Sequence, residues 1–589
     1  GIGKRALFEN TSGTSNAAVG RHALYNNSTG NRNTAVGANA LDENTTANDI
    51  TALGSDCLTN HTTGTENTAV GSAAMFTCTT GASNTAVGKG STANLTTGSQ
   101  NTAVGKGSLN KATTSSNNTA VGYNALEANT TGTQNTAVGA EALDSNTTGT
   151  RNVAVGTGAL YTQTGSSYNT GVGYGALYSN TGTQNAALGY AALLFSTTSN
   201  NVAVGNNALT NSTTGGENTA VGSAALVANI TGSNNVAVGY QSLDANTTAS
   251  DNTAVGYNAL TTNQTGAANT ALGRSALQNN TAGSNVGVGY YALGLNTSGA
   301  SNTAIGTSAL NVNTTGGANT AVGALALDAN TTAHNNTAFG YEALTDNTTG
   351  TSNIAMGVQA ARNVTTGSRN IAIGTNALDV ATTLSDTIAI GYAALSANTN
   401  GGGNNALGRD ALQSNTTGNY NTAVGAFALE AQTTPDKNTA VGYAAGNAIT
   451  TGANNSAVGT DALGALTTGS HNTGIGNSAL FTVTTGTANA GFGAEALRLC
   501  TGSYNVAVGE SAGYNVSTGS GNICIGFRRS DGTYDPVFDP GTASNRVVIG
   551  HTHVSNAYVK VAWTVTSDAR DKMNFAPVPH GLDFVNQLQ

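Results

Sequence analysis

The two histidines in Gly550-His551-Thr552-His553 form the pattern with the most specific chemistry in this sequence. On a β-strand, residues two apart share a face, so both imidazoles would point the same way. In a threefold assembly, two inward histidines per chain give six imidazoles, enough for an octahedral transition metal. The alternative is that His551 and His553 are polar strand residues without a ligand.

Tyrosine directly follows the glycine of a recurring N-T-A-V-G pattern at nine places. These are Tyr123, Tyr174, Tyr190, Tyr240, Tyr257, Tyr290, Tyr341, Tyr392 and Tyr443. Surface tyrosines can stack on sugars, which predicts a ladder of glycan contacts. The alternative is that these amphipathic side chains shield a thin core.

Other residues that could do chemistry lack the spacing for it. The four cysteines, Cys57, Cys78, Cys500 and Cys524, show no CxxC pair and no neighbouring His cluster, which predicts small buried side chains. Phosphate-binding glycine loops and G-G-x-G-x-D calcium repeats are missing, as are Ser/His/Asp and paired-carboxylate constellations among the repeats. The many Asn-x-Thr triplets indicate turns and stacked Asn or Thr ladders, or glycosylation acceptors in a eukaryotic secretory pathway.

Composition excludes several classes of partner. The 589 residues are 8% charged and 5% aromatic, with a net charge of −9 spread thinly along the chain. This distribution argues against binding to nucleic acid or to an anionic membrane surface. No apolar run approaches the roughly 18 residues that span a bilayer, so we expect no membrane insertion. The chain opens in mid-repeat with Gly1-Ile2-Gly3, and we expect a further segment upstream.

Most of the chain consists of a single repeat, and the strands and turns of this repeat must position the residues described above. The glycine of N-T-A-V-G recurs from Gly3 to Gly526, giving 31 intervals, of which 27 are 17 residues and four are 16. We number positions from this glycine, which is position 0. The shorter intervals lose their residue in the N-T-T-G half, as in Asn180-Thr181-Gly182, because turns tolerate deletions and strands do not.

Each repeat predicts one coil of a parallel β-solenoid. Positions −3 to −1 alternate like a strand, with −3 and −1 facing one side and −2 and 0 the other. A small-large pair follows at +3 and +4, as in Ala40-Leu41, and Asn-Thr-Thr-Gly then makes a turn. Thirty-two coils stacked about 4.8 Å apart give a rod of about 150 Å with a thin core. Because position −2 is almost always Ala or Gly, we predict that this face is buried against copies of the same chain.

The repeat N-T-A-V-G-x-x-A-L resembles the head repeats of trimeric autotransporter adhesins, which have a similar S-V-A-I-G-x-x-S motif. The resemblance covers residues 3–526 and implies a homotrimeric, left-handed parallel β-roll. The period of 17 residues is longer than in that family.

A second resemblance concerns residues 563–589. Trp563-Thr-Val-Thr-Ser567-Asp568-Ala-Arg570-Asp-Lys572-Met-Asn574, with Gly581-Leu-Asp-Phe-Val-Asn-Gln-Leu after it, resembles the start of the intramolecular chaperone that ends phage tail fibres and tailspikes. That family trimerises the fibre and releases itself by autoproteolysis. The resemblance implies that Ser567 is the nucleophile, that Lys572 is the general base, and that the Thr566–Ser567 bond is cut once.

The sequence therefore predicts an all-β chain with a solenoid shaft at 1–526, a short β stem at 527–566 and the first part of a chaperone at 567–589. Apart from single-turnover self-cleavage we expect no enzymatic activity, and no cofactor apart from a metal at His551 and His553. The leading hypothesis is the homotrimeric shaft of a phage tail fibre in the virion. Its partners would be other tail or baseplate proteins and a host receptor, for which a glycan is one candidate.

Two other classes of function remain. A bacterial cell-surface adhesin or extracellular filament protein would use the same shaft and the same terminal domain. An ice-binding solenoid would use arrays of threonine, but the Thr pairs lie beside a turn glycine and not on a flat T-x-T strand face.

Overall fold

A computed structural model of the chain describes residues 1–526, 532–533, 535–556 and 558. Within these residues the fold is all-β, with short strands and no helix. Accordingly, no helix in the described residues is long and apolar enough to cross a membrane. Positions −3 to −1 of each coil form the strand, as the alternation predicts.

The strands, in chain order, are β1 Ala17–Val19, β2 Thr34–Val36, β3 Thr51–Leu53, β4 Thr68–Val70, β5 Thr85–Val87, β6 Thr102–Val104, β7 Thr119–Val121, β8 Thr136–Val138, β9 Val153–Val155, β10 Thr170–Val172, β11 Ser179–Asn180, β12 Ala186–Leu188, β13 Phe195–Ser196, β14 Val202–Val204, β15 Thr219–Val221, β16 Val236–Val238, β17 Thr253–Val255, β18 Thr270–Leu272, β19 Val286–Val288, β20 Thr303–Ile305, β21 Thr320–Val322, β22 Thr337–Phe339, β23 Ile354–Met356, β24 Ile371–Ile373, β25 Ile388–Ile390, β26 Asn405–Leu407, β27 Thr422–Val424, β28 Thr439–Val441, β29 Ser456–Val458, β30 Thr473–Ile475, β31 Ala490–Phe492, β32 Val506–Val508, β33 Ile523–Ile525 and β34 Val547–Ile549.

All of these strands except β11 and β13 form one 32-stranded sheet. Each strand pairs in parallel with the strand of the next coil, so that Thr34 lies beside Thr51 and Val36 beside Leu53. At about 4.8 Å per strand, the sheet is about 150 Å long. The prediction of a long parallel β-solenoid with 17-residue coils is confirmed.

The corners between strands are also stacked coil on coil. Leu41 at +4, Asn39 at +2 and Arg32 at −5 all have φ between 55° and 59°, the left-handed region that costs a non-glycine residue about 1 kcal/mol. Hydrogen bonds to neighbouring coils hold them there: the amide of Leu41 donates to the carbonyl of Cys57 at 2.9 Å, and that of Asn39 to the carbonyl of Arg21 at 2.8 Å. Local backbone strain is therefore offset by bonds that exist only in the stack.

The interior of each coil is narrow. Alanine at −2, alanine at +3 and leucine at +4 fill it, as Ala35, Ala40 and Leu41 do, and all three are fully buried within the single chain. The repeat glycine sits at a corner with φ near +134° at Gly306, where an added Cβ would lie 2.6 Å from the carbonyl oxygen of Gly323. Glycine is required at this position because neighbouring coils approach each other backbone to backbone.

The prediction that copies of the chain seal the alanine side of the strand is wrong. Ala35 and Ala52 are 0% exposed in one chain, because they point into their own coil. The opposite side of the strand faces outward, and Val36 at −1 is 40% exposed. This narrow cross-section favours alanine or glycine at −2, and the larger side chains of the strand, valine, isoleucine and phenylalanine at −1, lie outside.

The four 16-residue coils leave the main sheet unbroken. Thr170 pairs with Ala186 across the first short coil, and Ala186 pairs with Val202 across the second, in the register of all other coils. The missing residue is therefore absorbed on the opposite side of the coil, as predicted. Where two short coils follow each other, β11 and β13 form a separate two-stranded parallel pair.

The last strand of the main sheet, β34, lies in the segment assigned to the stem. Val547–Ile549 pairs in parallel with Ile523–Ile525, and Val548 is buried like the alanines at −2. The segment Asn545–Gly550, which the sequence predicts as one further copy of the repeat, therefore adds one more strand to the main sheet. The strand predicted at 557–565 lies outside the described residues, except for Tyr558.

Candidate functional site

The outer side of the main sheet, formed by positions −3 and −1 of each strand, is a uniform surface along the described solenoid. We call it the sheet face. Its −1 row consists of apolar side chains, of which about half are 36–54% exposed, such as Val104, Ile305, Phe339, Met356 and Leu407, and the others are partly exposed. None of the 32 strands of the main sheet carries a charged residue. Long apolar strips on the surface of a single chain are typical of interaction surfaces.

Threonine is the commonest residue in the −3 row of the sheet face. The hydroxyls of Thr303, Thr320 and Thr337 make no hydrogen bond within the described residues, and the three side chains are partly exposed. Each strand therefore presents one methyl-and-hydroxyl group and one apolar group outward. Within the described residues, no other part of the chain covers this face.

Below the surface, an asparagine ladder runs along the solenoid at position +7. Asn313 Nδ2 donates to Asn296 Oδ1 at 2.7 Å and to the Gly316 carbonyl at 2.9 Å, while its Oδ1 accepts from Asn330 Nδ2 at 2.7 Å. All of these side chains are fully buried. Buried amides are tolerated because neighbouring coils supply their partners.

Two further ladders satisfy the backbone. At position −4, the amide of Asn319 donates to Asn302 Oδ1 at 3.0 Å, and Asn319 Nδ2 donates to the carbonyl of Ala333 at 2.8 Å. At position +8, Thr314 Oγ1 donates to the carbonyl of Thr331 at 3.0 Å. The prediction that the Asn-x-Thr triplets form turns and stacked ladders is confirmed.

The +7 ladder ends wherever the next coil lacks asparagine. Four asparagines at such ends have a buried Oδ1 without a partner: Asn44, Asn146, Asn347 and Asn415. The residues one coil further are, in the same order, His61, Gln163, Val364 and Gln432. Each of these four ladder segments thus ends in one unsatisfied acceptor, which costs about 1–3 kcal/mol.

His61 is the one histidine in this ladder. It is fully buried, its Nε2 lies 2.5 Å from the carbonyl of Gly64, and its Nδ1 has no partner. Burial lowers the pKa of His61, because the charged imidazolium would lose its hydration. We read His61 as a neutral core residue.

The four cysteines behave as predicted, because each is buried and free. Cys57 at +3 and Cys524 at −2 replace alanine, and Cys78 and Cys500 occupy the ladder position +7. Burial raises the pKa of Cys57 and Cys78 to about 12 and that of Cys500 and Cys524 to about 11. Thiols with such pKa values are poor nucleophiles at neutral pH.

The nine tyrosines lie at position +1, directly after the repeat glycine, and all are about half exposed. Tyr174 stacks on Tyr190, and Tyr240 on Tyr257, with ring centroids 5.4 Å apart in both pairs. Stacking occupies ring faces that a sugar would need. These tyrosines therefore offer mainly their edges and hydroxyls to a ligand.

His551 and His553 do not share a strand face. His551 forms an isolated bridge with Pro536, and Thr552–His553 lie in a turn after β34. The amide of His553 donates to His551 Nδ1 at 3.2 Å, and the ring centroids are 6.1 Å apart. The strand geometry expected for this pair is wrong, whereas metal binding by several chains together stays a prediction.

The described residues contain no group of three or more His, Cys, Asp or Glu side chains arranged to hold a metal ion. An open polar groove of about 440 Å³ lies beside the paired short coils, with Asn200, Glu217 and Asn234 on its walls. Ser567, Lys572 and the Thr566–Ser567 bond lie outside the described residues, so self-cleavage stays a prediction.

Neither protein-family models, nor curated proteins, nor solved structures give a match to the chain. The class that the fold defines is a parallel β-solenoid repeat protein of fibre-like proportions. Function must therefore be argued from the surfaces of the solenoid.

Proposed function

We propose that this chain is the shaft of a homotrimeric extracellular fibre, with the phage tail fibre as the leading case and a bacterial surface adhesin or filament as the alternative. The single observation that carries the proposal is the uncharged, exposed sheet face along the whole solenoid. Three chains would bury these faces around a common axis. The number three comes from the two family resemblances.

The size of the sheet face supports a stable assembly. A strip about 150 Å long and about 10 Å wide covers about 1,500 Å² per chain. A standard protein–protein interface needs about 800 Å² per partner. A second copy is the partner that fits best, because only an identical chain repeats its rungs at the same spacing over the full length.

The positions of the short coils support the same assembly. All four deletions fall away from the strand, so the rung spacing and register of the sheet face are kept. Surface loops tolerate deletions freely, whereas a packed face does not. This asymmetry is expected if the sheet face is packed against other chains and the turns face solvent.

Native mass spectrometry of the purified chain tests the proposal. We expect a particle of three times 58.1 kDa. Ile305→Lys places a charge on the sheet face and should shift the particle toward monomer, because an unpaired charge in an apolar interface is strongly unfavourable. Thr307→Lys is the matched control, because Thr307 is exposed in the same coil but outside the face. A monomeric wild-type chain would refute the proposal.

One observation favours a second candidate, ice binding. The Thr pairs at +8 and +9 do lie at the turn, but the −3 threonines line a flat exposed face, with rows about 6.6 Å apart and rungs about 4.8 Å apart. Phe339, Met356 and Phe492 interrupt the flatness of the −1 row, which is why we rank this function second. Thermal hysteresis in a monomeric sample would support it, and its absence would dismiss it.

A further inference from the structure

The row of residues at position +1 differs in charge from the rest of the chain. From Lys4 to Glu510 it contains nine tyrosines, six cations and one acid. The cations are Lys4, Arg21, Lys89, Lys106, Arg274 and Arg409. The whole chain has 20 basic and 29 acidic residues, so this edge of the solenoid has the opposite sign. We call it the +1 row.

The +1 row is most developed between Tyr240 and Tyr290. Tyr240 stacks on Tyr257, and the guanidinium carbon of Arg274 lies 5.5 Å from the Tyr257 ring centre and 5.8 Å from that of Tyr290. Two aromatic faces therefore hold Arg274 in one orientation, which lowers the entropic cost of using it in binding. The three rings are 45–48% exposed.

Arg274 has no ion pair within the described residues, unlike Arg32, Arg369 and Arg498. The residues at +2 beside it are Gln241, Asn258, Ser275 and Tyr291, none of them acidic. The hydroxyls of Tyr240, Tyr257 and Tyr290 are likewise without a protein partner. Among the described residues, the patch thus offers a cation without an ion pair and three hydroxyls, and no acidic residue stands beside them at +2.

A second stretch repeats the pattern at Lys89, Lys106 and Tyr123. Lys106 Nζ lies 5.6 Å from the Tyr123 ring centre, and neither lysine has an ion pair within the described residues. Gly90, Gly107 and Asn124 stand at the neighbouring +2 positions. The same chemistry therefore occurs twice on one edge of the rod.

We propose that the +1 row, foremost at Tyr240–Tyr290, binds the carboxylates of an anionic polysaccharide lying along the shaft. Arginine N–H groups match a carboxylate, and phenol hydroxyls can donate to the sugar oxygens between charges. Single cations separated by tyrosine hydroxyls suit a chain that offers sugar hydroxyls as well as carboxylates, whereas a polyphosphate is bound best by a continuous basic strip, which this row lacks. The inference deepens the adhesive part of the proposed function by naming a ligand class.

Biolayer interferometry on the intact fibre tests this inference, with polygalacturonate as the probe and dextran and duplex DNA as comparison polymers. We expect polygalacturonate alone to bind, and its binding to weaken with added salt because exposed charges are screened. Arg274→Gln should weaken binding roughly tenfold, since a hydrogen bond to a charged group is lost. Tyr257→Phe keeps the stack and should weaken it roughly twofold to threefold.

Arg32→Gln is the control, because Arg32 already forms a bidentate pair with Asp49 and should leave binding unchanged. Equal binding of wild type and Arg274→Gln, or equal binding of dextran, would overturn the inference. Stronger binding of DNA would replace it with a nucleic-acid surface. Native mass of the same samples keeps the two proposals apart, because a trimer that ignores polygalacturonate refutes only this inference.

Discussion

In the asparagine ladder at position +7, the same Asn-to-Ala substitution should cost more stability in the middle of the ladder than at its end. Asn313→Ala in the middle of a ladder removes the partner of Asn296 Oδ1 and of one N–H of Asn330 Nδ2. The carbonyl of Gly316 keeps its bond from Asn302 Nδ2 at 2.8 Å. Two buried groups are thus left unsatisfied, at about 1–3 kcal/mol each.

Asn347→Ala at the end of the same ladder removes the partner of Asn330 Oδ1, but it also removes the unsatisfied Oδ1 of Asn347 itself. The number of unsatisfied buried groups is therefore unchanged. Both variants leave the same Asn-to-Ala cavity at a fully buried site. We expect Asn313→Ala to cost about 3 kcal/mol more than Asn347→Ala.

Native-state hydrogen exchange is the suitable assay, because long repeat arrays open locally and have no single unfolding free energy. For each variant, the exchange rates of the amides in the coils next to the substituted residue are divided by the wild-type rates. This acceleration should be roughly a hundredfold larger in Asn313→Ala than in Asn347→Ala. Equal acceleration in the two variants would refute the reasoning. Such a result would mean that the ladder asparagines stabilise the solenoid only by filling space and not through their hydrogen bonds.

Three further predictions concern the corner, the acids and the thiols. Gly306→Ala should destabilise its coil by about 3 kcal/mol or more, measured by hydrogen exchange, because the new Cβ meets backbone atoms at a residue with positive φ. Gly216→Ala is the control and should be nearly neutral, because the nearest atoms to its new Cβ are 3.5 Å away. Burial, helped by Glu127 and Glu141, raises the pKa of Asp144 to about 6, so the folded chain binds this proton more tightly than the unfolded chain. The coil of Asp144 should therefore become more stable as pH falls from 7 to 5, after correction for intrinsic exchange, and Asp144→Asn should lack this dependence. The four buried cysteines should resist a thiol reagent until the chain is denatured, and rapid reaction of the native fibre would contradict their burial.

The repeat length, the strand and the turn could all be predicted from spacing. The alternation at Thr34-Ala35-Val36 defined a strand, and the loss of a residue at Asn180-Thr181-Gly182 located the tolerant side of the coil. Both features rest on local rules, namely a two-residue period and the freedom of turns to change length.

The alternation of residues did not show which side of the strand faces the interior, because neither side carries charged residues. The signal that decides it is variation in size. Position −1 accepts Val36, Phe339 and Met356, whereas position −2 is restricted to small side chains in nearly every coil. A packed interior cannot accept such a range of volumes, so the variable row had to be outside.

The left-handed φ of residues such as Leu41 could not be predicted, because it is stabilised by hydrogen bonds to residues 16 or 18 positions away, in neighbouring coils, and not by the local sequence. The candidate sites also differ in whether the sequence alone could predict them. The ladders followed from composition, while the cation held between Tyr257 and Tyr290 depends on which coils are adjacent.

The bonds that join one coil to the next all run along the long axis, and this has a mechanical consequence. In a single chain, a load applied along that axis detaches terminal coils one at a time, since within the chain each coil is bonded only to its two neighbours. Every released coil frees 17 residues, which extend to about 58 Å at about 3.4 Å per residue in place of about 5 Å when stacked. A pulled molecule would lengthen in steps of about 50 Å and dissipate energy at each step while the remaining coils keep their structure.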